Sequence, residues 1–211
     1  MRCKLVMSLL ALAGILLLLA RLCVYDVVTV PETSLCPKAG CMVLVDRWAY
    51  GYRLPWKASR RLSYAQAGVG QWVTYNEPVR ERGEQPDTTA ICIGRVAAAP
   101  GDTIWYNNET GRISTLADAP NGFTHPLIVP RRGQLIPITP DNIRFYAITI
   151  MRHEPVKASV VDGRLCVNGK MVGRYLFQND YYWVVTGHPK VTPDSRLFGF
   201  VPHVSLIGRI E

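Results

Sequence analysis

The 211-residue chain lacks every cysteine spacing that builds a metal site. Six cysteines are present, but no CxxC pair and no Cys/His cluster of zinc-ligand spacing accompanies them, so neither a metal nor a cofactor is expected. Long Lys/Arg blocks are missing too. The net charge of +8 comes from scattered or paired residues such as Arg60-Arg61 and Arg131-Arg132. That distribution speaks against nucleic acid as a partner and suits anionic lipid headgroups at least as well. There is no internal repeat, no low-complexity tract and no sustained helical periodicity beyond residue 24. The length suits one domain with appendages rather than two domains.

What is present begins with "LVMSLLALAGILLLLA", Leu5 to Ala20, which carries no charge and is flanked by Arg2, Lys4 and Arg21. Crossing about 30 Å of hydrocarbon takes about 20 residues; Arg21 can snorkel and Leu22 to Val24 extend the run. No small residues stand in register for a leader cleavage site, so the segment reads as a retained anchor. Residues 1–24 are therefore expected to form a cytoplasmic stub and a single transmembrane helix, and residues 25–211 a domain outside the membrane.

The exported part shows short runs of β-branched and aromatic residues between Gly, Pro and Asn: "CMVLVDRWAYGY", "QWVTYNEP", "ICIGRVAAAPGDTIWYN", "FYAITI", "RLCVNGKMVGRYLF" and "DYYWVV". This pattern predicts a mostly β domain with a hairpin turning at Asn168-Gly169. The Pro-, Gly- and Asn-rich stretch 110–140 reads as a surface insertion with little regular structure. Cys36 with Cys41, or Cys92 with Cys166, could pair in an oxidising compartment, and spacing does not choose between them.

About ten residues beyond the anchor, "VPETSLCPKAG" sets Ser34 between Pro31 and Pro37, which rigidify both sides. An isolated serine in such company is ordinarily a turn residue. The wider arrangement, however, resembles the type I signal peptidase family. Pro31, Ser34, Pro37, Gly40 and the run Tyr50-Gly51-Tyr52-Arg53 match its nucleophile box. "VGQWVTYNEP" resembles its following strand, Arg95 with "APGDTI" its Pro-Gly-Asp box, and "TPDSRLFGFVP" its last box, in the same order. The resemblance implies a mostly β catalytic domain of coiled antiparallel sheets behind a transmembrane helix, lying on a bacterial inner membrane and facing the periplasm or exterior. It implies exported preproteins or their signal peptides as partners, together with membrane lipids, and Ser34 as nucleophile with its own backbone N–H in the oxyanion hole.

In that family a neutral lysine in an apolar pocket takes the serine proton, which burial permits by disfavouring the ammonium form. Aligned on Pro100-Gly101-Asp102, the lysine position falls on Gly94, so the base is absent. Glu32 stands where the family has an oxyanion-donating serine, and a carboxylate there would repel the developing charge. Thr192 keeps a hydroxyl where the family supports its lysine. Asp194, Ser195 and Arg196 keep the structural box, with Arg95 and Asp102 as further support. Substitute bases to consider are His188 and Lys38, with Lys57 and His153 behind them. Two readings stay open: a serine endopeptidase that removes signal peptides using a relocated base, and an inactive or impaired paralogue that binds exported peptides. An unrelated β-domain with fortuitous box similarity is the third.

Overall fold

The computed structural model describes residues 6–7, 9–15, 18, 24–32, 36–51, 53–54, 57–61, 65–76, 91–107, 113–114, 125–186 and 194–211. The strands are β1 (Tyr25–Thr29), β2 (Met42–Asp46), β3 (Arg53–Leu54), β4 (Lys57–Arg61), β5 (Trp72–Asn76), β6 (Ile91–Ala98), β7 (Thr103–Tyr106), β8 (Ile113–Ser114) and β9 (His125–Ile128). They continue as β10 (Leu135–Pro137), β11 (Ala158–Val161), β12 (Arg164–Val167), β13 (Lys170–Met171), β14 (Arg174–Leu176), β15 (Tyr181–Val185), β16 (Val201–Pro202) and β17 (Leu206–Ile210). Helix α1 spans Ile143–His153 and the one-turn helix α2 spans Ser195–Phe198.

Seven strands form the main antiparallel sheet in the order β1-β2-β17-β5-β6-β15-β16, so the mostly β expectation holds. Alternation along paired strands assigns its faces. Val73 lies opposite Gly94 and Tyr75 opposite Cys92, and these pairs with Val96 point into a core that also holds Tyr50, Tyr182, Val184, Phe198 and Leu206. Trp72 and Ile93 point the other way, toward Val30, Cys36 and Val43.

A larger cluster joins this sheet to a second lobe and includes Ile104, Leu127, Tyr146, Ile150, Leu165, Phe177, Trp183 and Phe200. Four aromatic rings converge there: Tyr146 stacks on Phe200 and Phe177 meets Tyr181 edge-on. Within it "FYAITI" is helical, not the strand its β-branched and aromatic content suggests. Its buried positions Tyr146, Ala147, Thr149 and Ile150 recur at one helical face, and Arg152 complements the carboxyl-terminal end of the dipole. The stretch 110–140 also departs from expectation where it is described. β9 pairs with β7, and Leu127, Val129 and Ile136 are buried. Prolines at the ends of these short strands disguise them as loop.

The Asn168-Gly169 turn forms between β12 and β13 with positive φ at both residues (50° and 80°), as a two-residue hairpin requires. Cys36, Cys41, Cys92 and Cys166 are all free thiols, so neither of the considered disulfides is formed. Most of the expected anchor, including residues 1–5, 16–17 and 19–23, lies outside the described residues; 6–7, 9–15 and 18 are helical. Among the described residues no helix is long and apolar enough to cross a membrane.

The junction between α1 and β14–β15 is closed by one carboxylate. Glu154, 4% exposed, accepts from the Tyr181 hydroxyl at 2.7 Å, the Gln178 N–H at 2.9 Å, the Tyr175 hydroxyl at 3.1 Å and Asn179 Nδ2 at 3.2 Å. Burial, and then the neighbouring Glu154 carboxylate, push both tyrosines above their ordinary pKa. Removing the acceptor strands several buried donors, so Glu154→Ala is expected to lower unfolding free energy by about 3 kcal/mol in urea titrations. A loss below about 1 kcal/mol would show that the node is not structural.

Candidate active site

The segment that carries the nucleophile position is the β1–β2 connection. It is held at both sides. Val30 N–H donates to Cys41 O at 2.9 Å and Gly40 N–H returns to Val30 O at 3.0 Å. Cys36, 4% exposed, plugs against Ile93 of β6 and Val43 of β2. Ser34, with Thr33 and Leu35, lies outside the described residues; Val30 and Cys36 on either side belong to the cluster with Ile93 of β6. Glu32 is exposed and its Cγ approaches Gly40.

Gly94 sits in the next position of β6, paired with Val73, and by alternation is directed away from Cys36 into the core of Tyr75, Val184 and Phe198. The backbone there offers no side-chain proton acceptor. Arg95 points back out, its Nε donating to Gly70 O at 3.2 Å. The Pro-Gly-Asp box is a turn: Asp102 N–H donates to Ala99 O at 3.0 Å and Asp102 Oδ2 accepts from Ala99 N–H at 2.8 Å. Proline at the second and a positive-φ glycine (Gly101, 96°) at the third position fit a type II geometry. Asp102 is thus engaged with its own turn.

The last box is built around Asp194, which is fully buried. Its carboxylate accepts from Thr186 N–H at 2.9 Å, Arg196 N–H at 2.9 Å and Arg196 Nε at 3.0 Å, and it caps α2. Arg196 closes the ring by donating to Thr186 O at 3.0 Å. Ser195 Oγ accepts from Val184 N–H at 2.9 Å. The pairing of β15 with β6 shifts register between Trp183 and Val184, and the hydroxyl serves the amide displaced by that bulge. Thr192 and His188 lie outside the described residues.

Of the other substitute bases, Lys38 is exposed and its Nζ donates to Glu211 O, which ties the segment after β17 to the β1–β2 connection. Lys57 belongs to β4. His153 lies at the end of α1 beside Tyr181, which occupies the opposite end of β15 from the Val185–Arg95 pair. It is not the freely titrating surface group the sequence suggests, because burial and then Arg152 lower its pKa to about 4.

These boxes recur in one family. The chain matches the family described as signal peptidase, peptidase S26, over residues 3–211. It belongs to that family. No curated protein shows a significant match to it. The reading of an unrelated β-domain with chance similarity falls with that match. Family membership implies signal-peptide-bearing substrates. Sequence reasoning did not find the Val184–Ser195 bond, since no local motif announces a bulge, nor the Cys36 plug.

The lowered His153 has a consequence for stability. Its unfolded-state pKa is 6.5 and its folded value about 4, so the unfolded chain binds more protons between them and stability falls as pH drops through that window. Comparison of urea unfolding at pH 7 and pH 4.5 is expected to show a loss of about 2–3 kcal/mol that His153→Gln removes. An unchanged pH difference in that variant would refute the assignment.

Proposed function

We propose that this signal peptidase family member receives signal-peptide segments of exported preproteins at a membrane surface, with Ser34 in the nucleophile position and an impaired hydrolytic step. One observation carries the reading. Residue 94, where the family's base belongs, is a glycine in a regular strand, without a side chain to accept a proton, and faces the core of Val73, Tyr75, Val184 and Phe198.

Peptide capture does not need that base. An extended segment adds to a sheet through main-chain hydrogen bonds, with alternate side chains seeking pockets. β1 is one of the two edge strands of the main sheet among the described residues. The membrane assignment is supported by apolar surface that water would not favour. Val6, Met7, Leu9, Leu10, Leu12, Ile15 and Leu18 are exposed along the helical amino-terminal residues. Val27 of β1 faces Leu44 of β2, and both are exposed beside Met42. A single-pass anchor with the domain on the exported side fits these surfaces and the flanking positive charges. The basic balance of +8 suits anionic headgroups.

For hydrolysis, a base must take the Ser34 hydroxyl proton as Oγ bonds to the scissile carbonyl carbon. The same proton must then reach the departing amine as the C–N bond breaks, and water must clear the acyl ester. Without a base at 94, turnover is expected at about 10⁻⁴ of an intact serine site or lower. The Glu32 carboxylate adds to the deficit beside the oxyanion. A second reading, slow cleavage through a relocated base, is favoured by the intact Asp194–Arg196 box. With Lys38 engaged by Glu211, it points to His188.

Full-length chain in detergent micelles, mixed with a fluorescent preprotein, separates these readings. The proposal expects saturable binding that changes less than about 2-fold in Ser34→Ala, and no cleavage above background. Cleavage lost in both Ser34→Ala and His188→Ala would establish the second reading. Absence of binding would sink the first.

A further inference from the structure

The base position is not merely empty. A methyl group on residue 94 would stand 2.5 Å from Val184 Cγ1, 3.1 Å from the Val185 carbonyl oxygen and 3.4 Å from Tyr75 Cε1. The first distance is a collision. Side-chain rotation offers little relief, since Val184 is β-branched and fully buried. Its backbone has no more freedom, because Ser195 Oγ holds its N–H at 2.9 Å and Val185 is paired with Arg95.

From this we infer that Val184 occupies the volume through which a base side chain on residue 94 would have to pass, so that Gly94 and Val184 act as one steric unit. Val184 thereby decides whether the site can seat a base, and Ser195 is the positioning residue that fixes it there. The catalytic half of this inference rests on the assignment of position 94 made under the proposed function; the packing half stands without it. A lysine restored at 94 alone must displace a buried valine, whereas one restored together with Val184→Ala enters the space the two lost methyl groups leave.

The test is a double-mutant cycle on the full chain, read by thermal unfolding in detergent micelles. Gly94→Ala is expected to lower the Tm by about 5 °C in the native background and by no more than about 1 °C in Val184→Ala. If Gly94→Ala alone does not accumulate folded, a folded Gly94→Ala/Val184→Ala double variant supports the inference, and failure of both overturns it. Equal Tm losses in the two backgrounds also overturn it. Preprotein cleavage adds the catalytic arm, with Gly94→Lys/Val184→Ala expected to exceed Gly94→Lys by at least about 10-fold. Equal, measurable cleavage by the two overturns the catalytic half. If neither cleaves while the Tm cycle stays coupled, the steric unit is upheld and it is the assignment of position 94 as base site that fails.

Discussion

The close approach of three strands at Gly208 is the constraint on which the main sheet depends. β17 comes last in sequence among the described strands, yet it lies inside the sheet, between β2 and β5. A Cβ at 208 would collide with the Asp46 carbonyl and the Val45 side chain, so only glycine lets β17 lie against β2 there. Thr74 Oγ1 binds the Gly208 carbonyl at 3.3 Å from the opposite side, and the register with β5 shifts between Leu206 and Gly208. Arg209 then pairs with Asp46 on one flank and Val73 on the other. The amino-terminal hairpin β1–β2 therefore joins β5 and β6 only through β17, a strand far along the chain. Such long-range closure is slow, because loop entropy must be overcome before the contacts form.

The second organising centre is Asp194, and it is architectural before it is catalytic. A fully buried carboxylate is tolerable only when its oxygens are saturated, and here Thr186 and Arg196 saturate them. That anchorage starts α2, which presents Ser195 to the bulge in β15 and so sets Val184 over the Gly94 position. The box thus has a structural task whether or not a proton is transferred.

Much of this was legible in the residues. Runs such as "QWVTYNEP" and "DYYWVV" became β5 and β15, strands buried on both faces as their continuous β-branched and aromatic content suggests, and Asn168-Gly169 became a turn because those residues tolerate positive φ. "FYAITI" misled because local β preference is weak where one helical face can be buried against Phe177 and Phe200. His125 to Pro140 misled because its prolines cap short strands. At the candidate site, the missing acceptor at 94 could be read from spacing against the Pro-Gly-Asp turn. What fills its space could not, since Val184 is 90 residues away and approaches only through sheet pairing.

On the proposed reading, glycine rather than lysine at position 94 also changes stability. A lysine kept neutral in an apolar pocket must have its pKa drawn down by about 3 units or more, and at 1.36 kcal/mol per unit that state costs about 4 kcal/mol of folding free energy near neutral pH. Gly94 with Val184 replaces that burden by apolar contact among Tyr75, Phe198 and Val184, all buried. Glycine in a strand interior gives back only a fraction of the gain. Recognition of an extended peptide draws on sheet edges and side-chain pockets, none of which requires an amine at this position. On the proposed reading, glycine at 94 in place of such a lysine is therefore expected to stabilise the fold while sparing capture. With Val184 packed 2.5 Å from where a Cβ on residue 94 would stand, a lysine introduced there meets a steric barrier.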